Sequence, residues 1–163
     1  MADGEEHWEA AQPGAELVAE GDYASAVKVL AALIDEQPRN EYAYFYLGAA
    51  YYELEDYPRA LKSYVKALEL VPGYLGAMVN AGHTLRMLGR FDEAVRMGQQ
   101  VLARAPEDAD ALFLIGSASF ARGDYARAQG FLERFLQTQP EIEIATEVEG
   151  MLQVIRGKIA DLN

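Results

Sequence analysis

The sequence predicts an all-α protein in which one helix pair is repeated along the chain. Three observations carry this. Pro38, Pro72, Pro106 and Pro140 stand 34 residues apart; Gly14, Gly48, Gly82 and Gly116 keep the same interval, as do Ala26, Ala60, Ala94 and Ala128, and the aromatics Tyr23, Tyr57, Phe91 and Tyr125. Between these marks the apolar residues recur at helical spacing, and no segment alternates with period two as a half-buried strand would. Self-similarity at a fixed period is the signature of a repeat array.

The first copy, from His7, keeps Gly14, Leu17, Gly21, Tyr23, Ala26, Leu30 and Pro38 but is worn. A proline in a helix interior costs about 3 kcal/mol, so its first helix is expected to start or kink at Pro13. Residues 1–12, with Trp8 among them, then read as an acidic leader. Terminal repeats are commonly atypical because one side lacks a neighbour.

The second copy reads as helices over 41–54 and 57–70. Tyr44, Leu47, Gly48 and Tyr51 share one face of the first. Ala60, Leu61, Tyr64, Ala67 and Leu68 share a face of the second, with Arg59, Lys62, Lys66 and Glu69 towards solvent. The same reading gives helices near 75–88, 91–104, 109–122 and 125–138. Between paired helices lie Leu54–Glu55–Asp56–Tyr57, Leu88–Gly89–Arg90–Phe91 and Arg122–Gly123–Asp124–Tyr125, where glycine suits a left-handed cap. A glycine inside a helix costs about 1 kcal/mol against alanine, so one at a fixed phase needs a packing reason. It is expected to admit the partner helix, with the small alanine meeting it. Proline closes each unit because it cannot continue a helix interior. After Pro140, Ile144, Val148, Met151, Leu152, Ile155 and Ile159 form one stripe opposite Glu143, Glu147, Gln153 and Arg156. Residues 141–163 are therefore expected to be a helix that caps the array.

Composition narrows the function. The chain of 163 residues is 51% apolar and 25% charged, which suits one folded domain with a real interior. Twenty-six acids against fourteen bases give a formal charge of −12, which repels nucleic-acid phosphates and anionic membrane surfaces. An apolar or basic protein segment is the expected partner. The absence of cysteine excludes disulfides, thiolate metal sites and cysteine nucleophiles. His7 and His83 are the only histidines, and no metal-protease, phosphate-loop, dinucleotide or calcium-loop motif occurs. Neither catalysis nor a cofactor or metal is expected. The start MADGEEHWEAAQPG lacks the apolar core of a signal peptide, and no stretch approaches the ~18 apolar residues of a membrane helix. With Met1 present, the chain reads as complete and cytoplasmic.

These residues resemble the tetratricopeptide repeat family. Tyr44, Leu47, Gly48, Tyr51, Ala60, Tyr64, Ala67 and Pro72 fill that family's large, small, aromatic and proline positions in one repeat. Met78, Ala81, Gly82, Leu85, Ala94 and Pro106 match in the next, with Gly98 and Val101 as departures. Leu112, Ile115, Gly116, Ala128, Leu132 and Pro140 match in the last, with Ser119 and Phe135 as departures. In the worn copy Pro13 stands where a large apolar residue belongs. The match covers about 38–140. The resemblance implies an array over 13–140 (a worn repeat 7–40, then 41–74, 75–108 and 109–142), coiled into a right-handed α-solenoid superhelix.

The resemblance also implies which side chains line the groove of such a superhelix. They are Tyr42, Phe45, Ala49, Tyr52 and Glu53; then Gly76, Val79, His83, Arg86 and Met87; then Asp110, Phe113, Ser117, Phe120 and Ala121. Because Tyr44, Leu47 and Tyr51 already fill packing positions, Tyr42, Phe45 and Tyr52 are left for a binding surface. Alternatively they pack on the worn first repeat or an N-terminal extension. Some family members clamp the terminal carboxylate of heat-shock chaperones with lysines, an arginine and asparagines. Here Asn80 fits, but Phe45, Ala49, Asp110 and Leu114 occupy the other clamp positions. The implied function is an adaptor that holds an apolar peptide or helix, with His83 and Arg86 as the groove's cationic groups. Two alternatives stay open. Length, charge and C-terminal helix are similar to type III secretion chaperones of hydrophobic translocators, although those usually carry three repeats of weaker consensus. The aromatic patch or the N-terminus could instead make a homodimer.

Overall fold

The computed structural model describes residues 2–161. Among them are nine α-helices: α1 (Ala2–Glu20), α2 (Tyr23–Glu36), α3 (Glu41–Glu53), α4 (Tyr57–Leu70), α5 (Leu75–Met87), α6 (Phe91–Leu102), α7 (Ala109–Arg122), α8 (Tyr125–Gln137) and α9 (Ile142–Ala160). The chain is all-α among the described residues, and the ends of α3 to α8 fall within two residues of those read from the sequence. It forms two compact units, Met1–Leu88 with α1–α5 and Gly89–Asn163 with α6–α9. None of the described helices is long and apolar enough to cross a membrane.

Local chemistry sets the helix starts. Asp22, Asp56 and Asp124 accept the amides of Ser25, Arg59 and Arg127, while Asn40 and Asp108 accept those of Ala43 and Ala111. Each such cap satisfies a donor with no partner in the helix, worth about 1 kcal/mol. Arg90 stands in the aspartate phase without a side-chain cap and bridges Glu93 instead. The turns before these caps need a left-handed residue. Gly21, Gly89 and Gly123 supply it at φ of 83°, 74° and 86°, and Glu55 takes φ 59° at the same phase.

The helical glycines of the repeat have a different partner from the one expected. A Cβ on Gly48 would lie 2.8 Å from the Tyr64 ring; one on Gly14 would lie 2.3 Å from Leu30, and one on Gly116 2.6 Å from Leu132. The large side chain of the second helix, rather than its small alanine, fills the space that glycine leaves.

In the first unit Ala26, Leu30, Ala43, Leu47 and Ala50 form a buried cluster. In the second, Val148, Leu152 and Ile155 of α9 are buried with Leu112, Ala128, Leu132 and Phe135 of α7 and α8. Three members of the expected α9 stripe are thus buried, Met151 and Ile159 pack partly against them, and Ile144 stays exposed.

The N-terminus departs from expectation. α1 runs from Ala2 to Glu20 with Pro13 inside it, so residues expected as a leader belong to the same helix. Tertiary contacts on both sides of the proline hold α1. Gly14 lies against Leu30 of α2; nearly two turns before the proline, the His7 carbonyl accepts the Asn40 side-chain amide at 2.9 Å. Pro13 itself is exposed, so its ring meets solvent rather than core.

Candidate functional site: an aromatic face on the first unit

α1, α3 and the start of α5 carry a run of touching rings. Trp8 meets Tyr42 edge-on at 5.6 Å between centroids and Tyr46 at 6.0 Å. Tyr42 meets Tyr74 at 6.2 Å; Phe45 stacks on Tyr74 at 4.9 Å and meets Tyr64 at 5.9 Å. Local structure fixes this order. Asn40 caps α3 and bonds back to α1, while the His7 Nδ1 lies 2.8 Å from a Glu41 carboxylate oxygen. These two links set Trp8 beside Tyr42. Gly76 opens α5 with only ordinary contacts to Phe45 and Tyr74, so those rings can lie over its first turn.

Tyr64 connects the run to a pocket of about 180 Å³ lined by Ala49, Tyr52, Glu53, Tyr64, Asn80 and His83. Its lining is mixed: Ala49 and the rings of Tyr52 and Tyr64 stand with the polar groups of Glu53, Asn80 and His83. Burial pushes the Tyr64 hydroxyl far above its ordinary value, a hydrogen bond with Asn80 opposing the shift. Tyr52 is raised mainly by burial, with Arg86 opposing, and Tyr74 by burial and by neighbouring Tyr46, Tyr42 and Glu41. These phenols stay neutral donors. Burial, aided by the Arg86 charge, pulls His83 down to about 4. It is therefore neutral at physiological pH, which leaves Arg86 as the cation of this face. The Arg86 Nε is buried without a hydrogen-bond partner.

The His83 shift carries a pH prediction. Its folded value lies below the unfolded value of about 6.5, so between pH 6.5 and 4 the unfolded chain takes up a proton that the folded chain refuses. The stability due to neutral His83 is whole above about pH 6.5 and is lost as pH falls towards 4. At ~1.4 kcal/mol per pKa unit, the loss is on the order of 3 kcal/mol. The urea midpoint of wild type should fall more steeply than that of His83→Gln as pH drops from about 6.5 to 4; parallel pH profiles contradict it.

Of the expected groove residues, Tyr42, Phe45, Ala49, Tyr52, Glu53 and His83 come together on this face, with Arg86 beside Tyr52 and His83. Val79 is buried at 7% exposure and faces the interior instead. Phe113, Ser117 and Phe120 belong to the second unit. There Phe113 packs on Phe135 at 5.3 Å and Phe120 on Tyr125 at 5.9 Å. Ser117 is 2% exposed and its Oγ donates to the Leu114 carbonyl at 3.3 Å, so it presents no binding group. Tyr42 and Phe45 also make the packing contacts given above as the alternative, on α1 and on Tyr74. Sequence reasoning missed Trp8, Tyr46 and Tyr74. For Trp8 a signal existed: it precedes Tyr42 by the repeat interval of 34 residues.

Comparison with known proteins agrees with this architecture. Tetratricopeptide-repeat family models match residues 40–107 and 79–141. Tetratricopeptide repeat protein 37 of Xenopus laevis is 29% identical over 136 residues, covering 83% of this chain and 8% of that protein. The chain thus spans less than a tenth of that relative's length. Among solved structures, residues 41 to the end of MamA from Desulfovibrio magneticus RS-1 superpose with a TM-score of 0.81 at 21% identity, over 97% of this chain and 86% of that one. The second repeat domain of human RPAP3, solved in complex with the HSP70 peptide SGPTIEEVD, matches with a TM-score of 0.66 at 21% identity, over 71% of this chain and 98% of that one. At these identities the structures speak for the fold. The repeat phase, the helix pairs and the family models agree: the chain belongs to the tetratricopeptide repeat family.

Proposed function

We propose that the first unit is a protein-interaction module whose aromatic face holds an apolar segment of a partner protein. The observation that carries this is the pocket at Ala49, Tyr52, Tyr64, Asn80 and His83, continuous through Phe45 with the run of rings. A small apolar anchor side chain fits between Ala49 and the rings, the partly exposed rings offer further contact area, and Glu53, Asn80 and His83 supply polar groups at the pocket wall for a backbone. The peptide complex of the RPAP3 domain supports segment binding as a use of this fold. The acidic end of that peptide is a poor model for this partner, because Phe45, Ala49, Asp110 and Leu114 replace the clamp residues. In this reading the repeats run 7–40, 41–74, 75–108 and 109–142, with 141–163 as cap, and the module works in the cytoplasm as an adaptor rather than an enzyme.

The test is a short peptide selected from a random display library on the full chain, titrated by calorimetry against wild type and Ala49→Phe. Ala49 is half-buried at the pocket wall, so the added ring blocks the cavity without emptying the core. Affinity should fall at least about tenfold, the equivalent of ~1.4 kcal/mol. Equal affinity, with the variant folded, would place binding elsewhere.

A further inference from the structure

Trp8 has no role in holding the core, yet it sits in a defined place. About 38% of its surface is exposed, and its ring rests against Tyr42 and Tyr46 beside Tyr74. The charge carried by α1 is of one sign. No lysine or arginine occurs before Lys28, whereas Glu5, Glu6, Glu9 and Glu16 are all exposed on α1. Glu5 precedes Trp8 by one helical turn and so shares its side of the helix. On α3, Glu41 adjoins Tyr42 and holds His7.

The exposed Trp8 ring and the part-buried Tyr42 and Tyr74 rings, with Glu5 and Glu41 near them, present two attractions to a cation, the negative ring faces and the acid charges. Salt screens exposed charges beyond a Debye length of about 8 Å, which keeps such an attraction local. We propose that the Trp8–Tyr42–Tyr74 shelf receives a lysine or arginine side chain of the segment whose apolar anchor enters the Tyr64 pocket. The proposal rests on the binding reading above and narrows its partner to a segment that is apolar and basic at once. A second copy of this chain is a poorer occupant, since it brings another formal charge of −12.

Trp8 is the only tryptophan, so its fluorescence reports on this shelf in the wild type, and calorimetry compares the wild type with the Trp8 variants. Random short peptides are selected on the full chain, and each winner is compared with its version carrying glutamine for lysine or arginine. Selected peptides should be enriched in a basic residue near an apolar one. The glutamine version should bind roughly fivefold more weakly, and that gap should shrink on Trp8→Ala but survive on Trp8→Phe. The exposed double variant Glu5→Gln/Glu9→Gln leaves the packing alone and should reduce the same gap and its salt dependence. If glutamine versions bind within about twofold of the originals while Ala49→Phe still abolishes binding, the cation proposal falls and the binding face stands. Winners rich in acids also overturn it. If no peptide binds, or Ala49→Phe changes nothing, both readings fall together.

Discussion

Ending the chain at Pro140 is expected to unfold or aggregate the second unit. α9 contributes Val148, Leu152 and Ile155 to the buried cluster with Leu112, Ala128, Leu132 and Phe135; Val148 and Ile155 are 0% exposed and Leu152 is 3% exposed. Burying a side chain of this size is worth about 1.5–3 kcal/mol, so three of them supply roughly 5–8 kcal/mol. Total stability for a domain is about 5–15 kcal/mol, so the loss is comparable to the whole. Removing α9 also bares Leu132 and Phe135 to water, and an apolar surface of that kind drives association. Urea unfolding followed by circular dichroism should show the 89–140 transition lost or the fragment insoluble. A soluble fragment with an unchanged midpoint would show that α9 is not needed as a cap.

The second large effect is a steric one. A methyl added at Gly116 would sit 2.6 Å from a Leu132 methyl carbon and 3.3 Å from the Leu132 amide nitrogen. The methyl can be relieved by moving the side chain, but the backbone nitrogen ties α8 to its place. Gly116→Ala should therefore cost about 1–3 kcal/mol, despite alanine's better helix propensity. Leu132→Ala alone should cost about 2–5 kcal/mol through the cavity it leaves. In the double variant much of the methyl clash is gone, so the two costs should fail to add by about 1 kcal/mol or more. Simple additivity in a denaturant-melt cycle would mean that Gly116 is not set by Leu132.

Much of this fold was legible because it repeats. Proline, glycine, alanine and aromatic residues in fixed phase mark the repeat, and the turns read at 54–57 and 122–125 lie between α3 and α4 and between α7 and α8. Period alone does not say which side chain a glycine faces. Gly48 was matched to the alanine phase, whereas the ring of Tyr64, four residues beyond Ala60, occupies the space. Pro13 misled for a related reason. Its local cost is real, but Ala11 and Gly14 are buried around it and His7 and Asn40 anchor the far end, so packing outweighs propensity.

The site was half legible. Tyr42, Phe45, Ala49, Tyr52 and His83 share the first unit's face as the register implied, while Val79 and Ser117 are buried. A register transfers direction along a helix, but not how deeply its neighbours cover a short side chain. Trp8 was set aside with the leader once Pro13 was read as the helix start. Its aromatic partners became visible only with α1 extended to Ala2.

The most direct test of the binding face is a map of amide chemical shifts on the full chain as a selected peptide is added. The account predicts the largest changes at Trp8, Tyr42, Ala49, Tyr52, Asn80 and His83, with the indole resonance of Trp8 moving at the same peptide concentration as the pocket amides. Changes confined to α2, α4 or the second unit, with the Trp8 and Ala49 signals unmoved at saturation, would contradict it.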